Sequence, residues 1–491
     1  MRHISPMPKE MLPKAKIAVI GGGVAGATNA LYLGQTGLNV TLFEKEPSLI
    51  SGPPFCHLHA GGNLYREISD EQCVTLLQQS IDFLRFYPFS VDYRPTVIAI
   101  PLEDSGSPEQ LLPRLSLLTD EYEKLIAEDP ENQVLGKSQD YYRVYTREQV
   151  ESIRKIPVVK VPKSFDEWMI PVAKNIDLDK VQFPLIMVQE YGLNLFRLSA
   201  GITLEIQQLT NVELLTETTV TGIDRSSDEK RWILSYTHQG KTAQKEFDYL
   251  INAAGFRTGK IDDMVSVDCK SMVEFKAAYV SQWKGCCETL WPEVIFHGER
   301  GTPRGMGQFT PYPNGYFQLH GMTKDITLYE DGLSANTKLS CQPQLKQNFI
   351  EKIERSWDTK EIEERTQNAI HHLAKFIPAF SSAKVGSKPL FGAQQIPGDD
   401  PTLRVAEVSF PAQGYARCEI VKASSVMTMA DTITRELIDL GYVDEKMYGK
   451  RDYTAMQRLD DREISAYAES LGKDRDYPVA LTHRTISHYQ S

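Results

Sequence analysis

Residues Lys16-Ile-Ala-Val-Ile20 form a short β-branched, apolar run that stops at three consecutive glycines, Gly21-Gly22-Gly23. From Val24 to Gly34 the chain turns to Ala, Leu and Tyr without proline, a helical pattern, and a second apolar run, Asn39-Val-Thr-Leu-Phe43, follows the Thr36-Gly37 turn and ends at Glu44. This order predicts a strand–helix–strand unit. An amphipathic helix is expected from about Asp70, carrying Cys73, Leu76, Leu77, Ile81, Leu84 and Phe86. After a turn near Gln189 and a helix-like stretch, strands are expected at 211–215, 219–223, 231–236 and 242–247, and a buried strand runs Asp248-Tyr-Leu-Ile-Asn-Ala-Ala-Gly255. Alternating or apolar strands are also expected at 96–101, 274–283, 293–298 and 315–321, with helices near 344–356 and 360–376. A last strand at 402–408 leads through Pro411–Arg417 into a helix from about Val421 to Leu440.

The glycines fall where a phosphate loop belongs. Gly21-x-Gly23-x-x-Gly26 sits at the strand-to-helix turn: Gly21 permits the tight turn, Gly23 lets backbone approach a pyrophosphate, and Gly26 lets helix and strand pack closely. The helix N-terminus, starting with Val24 and Ala25, favours the negative charge. Glu44, with Lys45 beside it, ends the second strand, where an acid accepts hydrogen bonds from ribose hydroxyls and repels a 2′-phosphate. An NADP site is therefore disfavoured.

The strand order from 189 to 255, together with the glycine motif, resembles the glutathione-reductase type of FAD-binding fold, and in particular the D-amino-acid oxidase superfamily. The resemblance covers about residues 14–440. It implies an α/β architecture, a Rossmann-like FAD-binding domain with a mixed α+β substrate domain inserted in two segments. The expected FAD-binding domain is 14–86, 186–269 and 386–440, and the substrate domain is 87–185 and 270–385. A charged, tyrosine-containing C-terminal extension, 441–491, matches neither. In the family, small residues such as Ala253, Ala254 and Gly255 lie beside the dinucleotide, and the backbone near Val220 meets the adenine. A loop such as Leu49–Tyr65, with His57, Ala60, Gly61 and Gly62, wraps the flavin. Gly414, Tyr415 and Ala416 would lead into the last FAD-binding element, whose helix N-terminus faces the flavin pyrimidine carbonyl.

The 41% hydrophobic and 24% charged content is that of a soluble globular protein. A net charge of −11 gives no general attraction for phosphate backbones, so no nucleic-acid partner is expected. No apolar run is long enough to span a bilayer, and no signal peptide is expected at the N-terminus. The seven cysteines include no CxxC pair and read as reduced thiols, pointing to a cytoplasmic location. No metal-ligand pattern, nucleophile elbow or P-loop is present.

The resemblance implies a dehydrogenase or oxidase that moves hydride from the Cα of a small carboxylate substrate to flavin N5. The electrons then pass to a quinone or oxygen. His59 or His320 is the expected base, and Arg66 or Arg304 the expected carboxylate clamp. The His59–Tyr65 loop is similar to that of 2-hydroxy-acid dehydrogenases related to L-2-hydroxyglutarate dehydrogenase, and the Gly392–Gln395 region resembles malate:quinone oxidoreductases. Both tilt the expectation toward a 2-hydroxy acid, and a quinone acceptor would entail peripheral membrane contact. Gly398-Asp399 before Pro401 echoes a flavin monooxygenase or halogenase using NAD(P)H, and a non-catalytic FAD-binding protein is a second alternative.

Overall fold

The computed structural model describes residues 15–52, 68–286, 288–401, 408–419 and 422–487. Two large sheets organise them.

The first is six-stranded, in the order Val408–Ala412, Tyr415–Cys418, Tyr249–Asn252, Lys16–Ile20, Asn39–Phe43, Val212–Leu215. All neighbours are parallel except the first pair. Strands buried on both faces need near-continuous apolar sequence, which explains why Ile17, Ala18 and Val19 are fully buried. The helix Val24–Gln35 crosses between the first two strands in sequence, and its side chains are buried almost all round. An antiparallel three-stranded sheet, Thr218–Arg225, Trp232–His238 and Lys241–Phe247, precedes the return strand Tyr249–Asn252.

The second large sheet has nine strands, mostly antiparallel, built on the long strand Ser271–Gln282. One face packs Phe309, Phe317, Leu319, Val294 and Phe296 under the helix Thr359–Ala374. The other face shares a core with the dinucleotide helix through Ile98, Ile186, Val188, Val280 and Leu390. This sheet therefore roofs the first.

Two expected domain boundaries move. Leu185–Val188 pairs with Thr96–Ala99 and Tyr142–Tyr145 within the roof. Lys384–Pro397 pairs along nearly its whole length with Ser271–Gln282, so residues 386–397 belong to the roof rather than the FAD-binding domain. Glycine and proline in this stretch (Gly386, Pro389, Gly392) hide an edge strand, a place where such residues are tolerated.

The C-terminal extension is part of the body. Helices Tyr453–Arg458 and Asp461–Asp474 bury Met456, Ile464, Ala468 and Leu471 in the same core as the dinucleotide helix. Asn194 Nδ2 donates to the carbonyls of Leu481 (3.0 Å) and His483 (3.1 Å). Arg197, buried, reaches Ser465 Oγ at 2.8 Å and pairs with Asp461. Among the described residues, no helix is long and apolar enough to cross a membrane.

Candidate functional site

The carboxyl edge of the parallel sheet gathers the expected dinucleotide residues. Gly21 has φ +100°, and a Cβ there would lie 2.5 Å from the Ala253 carbonyl oxygen. A Cβ on Gly26 would lie 1.8 Å from the Gly21 oxygen. Both positions require glycine for close approach of helix, loop and return strand. Gly23 differs: among the described residues, a Cβ there meets nothing within 4 Å. The N-terminus of the helix beginning at Val24, Ala25 and Gly26 carries no side-chain cap and no acidic residue in its first turn. Open space above uncapped backbone donors suits a pyrophosphate. The same openness recurs at Gly255, with φ +59° and, among the described residues, no atom within 4 Å of its would-be Cβ.

Glu44 is buried and already committed on the protein side. Its Oε2 accepts from Gly22 N at 2.6 Å and its Oε1 from Glu46 N at 2.7 Å. A carboxylate has about four lone-pair positions, so ribose hydroxyls can still be accepted. Desolvation pushes the Glu44 carboxyl above its ordinary range, against the two backbone donors that lower it. Lys45 pairs with Glu46 at 2.6 Å. Ala253 N donates to Ile20 O at 2.8 Å, and Ala254 N donates to Asn252 Oδ1 at 3.3 Å. Asn252, fully buried, thus shapes the Asn-Ala-Ala-Gly turn, with Thr258 and Asp262 of the following helix and distant Tyr415 as its partners. Val220 is buried against the parallel sheet, two residues beyond Thr218, whose N–H donates to Glu44 O at 2.8 Å.

Gly414, Tyr415 and Ala416 do not reach this edge. The parallel register Leu250↔Tyr415 and Asn252↔Arg417 sets Gly414 opposite Tyr249, where the strands begin. Its carbonyl accepts from Leu250 N and Trp232 Nε1. The Tyr415 hydroxyl donates to Asp262 Oδ1 at 2.6 Å inside the core. Ligands bind outside the carboxyl ends of such strands, and the residues of this strand at that end are Cys418 and Glu419, not its glycine turn. Arg417, the next residue of this strand, is paired with Asp262 (2.8 Å) and Glu419.

The roof contributes a second group of residues. Register pairs Gln308 with His320 and Thr310 with Gln318 on one face, with Val280 opposite Gln318. Since Val280 packs in the dinucleotide core, these polar side chains face the FAD-binding sheet. Gln308 Oε1 lies 3.3 Å from His320 Nδ1, and Gln308 Nε2 donates to Glu293, which pairs with buried Arg94 at 2.6 Å. Among the described residues, Thr310 Oγ1 and Gln318 Nε2 are buried with no hydrogen-bond partner. Buried polar atoms are normally satisfied, so orphans aimed between two sheets are what an absent polar ligand leaves. Lys276 adds a cation to this face, 2.7 Å from Glu274 and 2.9 Å from Gln394. Sequence reading missed Gln308, Thr310 and Lys276. The alternation Gly-Gln-Phe-Thr-Pro-Tyr over 307–312 was the available signal, because polar positions there alternate with core aromatics.

Arg304 stands apart. It is exposed on the loop before Gly307, with Nη1 3.5 Å from Glu103 O, and a carboxylate held there would be in solvent. His57, His59, Ala60, Gly61, Gly62 and Arg66 lie outside the described residues.

A Rossmann-like sheet with this loop, a returning small-residue strand and a mixed-sheet roof defines an FAD-dependent oxidoreductase of the glutathione-reductase fold type. The chain belongs to the DAO family of FAD dependent oxidoreductases, whose family model matches residues 16–405. Solved structures of similar fold include glycine oxidase from Geobacillus kaustophilus (12% identity, TM-score 0.54, covering 89% of this chain and 99% of that one). L-α-glycerophosphate oxidase from Mycoplasma pneumoniae is also similar (15%, TM-score 0.53, 90% and 99%), as is L-amino acid deaminase from Proteus vulgaris (13%, TM-score 0.56, 94% and 98%). No curated protein matches the sequence. The residues at the carboxyl edge fit FAD: open space above Gly23 and Gly255, an uncapped helix start, and a buried acid at the end of the second strand.

Proposed function

We propose that the protein oxidises a small carboxylate-bearing substrate at its Cα, with a 2-hydroxy acid favoured over an amino acid. The observation that supports this reading is the polar patch of the roof, buried Gln308, Thr310 and Gln318 with half-buried His320, facing the dinucleotide sheet with two atoms unsatisfied among the described residues. When bound, FAD supplies the acceptor for the Cα hydride and passes the electrons on to a quinone or oxygen. His320, oriented through Nδ1 by Gln308, takes the substrate hydroxyl proton; His59 is the alternative base. Lys276 replaces Arg304 as the roof's cation for the carboxylate, and Arg66 retains that role from the flavin loop. Thr310 and Gln318 hold the remaining substrate oxygens and exclude water from the reacting carbon. Three similar structures carry names that divide between amino acids and a glycerophosphate, so both substrate classes belong in the test. The test is an anaerobic visible spectrum recorded before and after adding 2-hydroxy acids, amino acids and N-methyl amino acids. Bleaching by 2-hydroxy acids is expected. Bleaching by amino acids alone would replace the substrate assignment, and bleaching by NADH or NADPH alone would favour a monooxygenase.

A further inference from the structure

The C-terminal extension places a half-buried arginine against the turn that follows Glu44. Arg475, just past helix Asp461–Asp474, donates through Nη1 to Ile50 O at 2.9 Å and through Nη2 to Ser48 Oγ at 2.9 Å and Leu49 O at 2.8 Å. The Phe196 ring lies 5.6 Å from its guanidinium carbon. Ser199 Oγ also donates to Leu49 O, at 2.6 Å. The turn they hold is strained: Ile50 has φ +52°, a left-handed conformation that a β-branched residue rarely adopts. Such strain persists only where the surroundings over-determine it.

The turn in turn supports the phosphate loop. Ile50 N donates to Gly22 O at 2.9 Å. A Cβ on Gly22 would lie 2.5 Å from Leu49 Cδ2 and 2.9 Å from Glu44 Oε2, and Gly22 N donates to that same Oε2. One continuous set of contacts therefore runs from Arg475 through residues 48–50 to the loop and acid that bind the dinucleotide.

The geometry points to Arg475 as a positioning residue for FAD: the C-terminal extension holds the strained Ile50 turn, and through it the Gly22–Glu44 pair, in the FAD-binding conformation. This rests on FAD binding and not on the substrate, so its failure would leave the proposed reaction untouched. A lysine keeps the charge and much of the stem but cannot present the planar fork that reaches three acceptors at once.

The test uses the full-length protein stripped of flavin and titrated with FAD by fluorescence, with apo melting temperatures alongside. Asp461→Asn serves as the control, because it loosens the extension at Arg197 without touching the turn. Arg475→Ala should bind FAD ~10-fold or more weakly, with Arg475→Lys intermediate. Asp461→Asn should lower the melting temperature while leaving FAD affinity near that of the unaltered protein. Equal losses of affinity in Arg475→Ala and Asp461→Asn would overturn the inference, since both would then act through general loosening. So would unaltered FAD affinity in Arg475→Ala. If Arg475→Ala does not fold, Arg475→Lys carries the test, and FAD binding equal to that of the unaltered protein in that variant would overturn it.

Discussion

Two glycines of the same sheet show how position decides what a residue is for. Gly23 faces open space at the carboxyl edge, whereas Gly414 has φ +68° and a would-be Cβ 3.2 Å from Trp232 Nε1 at the other edge. Gly23→Ala should leave the apo protein's stability within about 0.5 kcal/mol yet weaken FAD binding, because the methyl occupies the pyrophosphate's space. Gly414→Ala should do the reverse, losing about 1 kcal/mol with FAD affinity unchanged. Calorimetric melts paired with FAD titrations separate the two. Glu44 adds a pH dependence. Desolvation raises its folded-state carboxyl pKa, which makes the carboxyl easier to protonate in the apo protein, while ribose hydroxyls donating to the carboxylate favour the ionised form. FAD affinity should therefore fall as pH drops through that raised value, starting above the roughly 4.3 of a free glutamate. Glu44→Gln should weaken binding about 10-fold at neutral pH and flatten this pH dependence, as read by the dissociation constant at a series of pH values.

At the scale of elements, the roof strands carry chemistry on one face and packing on the other. Over 307–312, Phe309 stacks on Phe317 at 4.1 Å between ring centroids, while Gln308 and Thr310 turn toward the FAD-binding sheet. A period of two lets one strand do both, and a one-residue slip would exchange the faces. His320→Asn keeps a polar group beside Gln308 but removes the base. With a hydroxy acid it should lower kcat ~100-fold or more while FAD affinity stays unchanged. With an amine that can bind already deprotonated, the loss should be smaller. Stopped-flow flavin reduction reads both, and undiminished reduction by a hydroxy acid would remove His320 from its role.

For the whole molecule, the extension is the main finding. It supplies Met456, Ile464, Ala468, Leu471 and Leu481 to the core shared with the dinucleotide helix. Burial of each larger side chain contributes about 1.5–3 kcal/mol, and domains are stable by only about 5–15 kcal/mol. A chain ending at Leu440 is therefore expected not to fold, with a circular-dichroism melt showing no cooperative transition. A truncated protein that melts cooperatively and binds FAD would contradict both this account and the role given to Arg475. The acidic anchor points, Asp82 and Asp431, meet Arg451 of the extension at 3.3 and 2.6 Å, so the tail is tied at both ends.

The first strand–helix–strand unit, its glycine loop and Glu44 were legible in the sequence, because each depends on local geometry: a tight turn, a helix start, an acid at a strand end. The return strand ending at Ala253-Ala254-Gly255 and the main roof strands could be read as well, from periodicity. What local pattern could not show was the end of a strand from which a site is approached. Gly414 looks like a ligand glycine until the parallel register sets it at the amino edge. The reach of an exposed side chain was equally hidden: Arg304 has the right chemistry but faces solvent, while Lys276, unremarked in its strand, faces inward. The strand Lys384–Pro397, masked by Gly386, Pro389 and Gly392, exists because Ser271–Gln282 offers it an edge. Arg475 bears on the FAD site only because helix packing brings residue 475 to residue 50, a contact across 425 positions. Local conformational preference is written residue by residue, but edge, face and long-range contact arise only when the sheets close on each other.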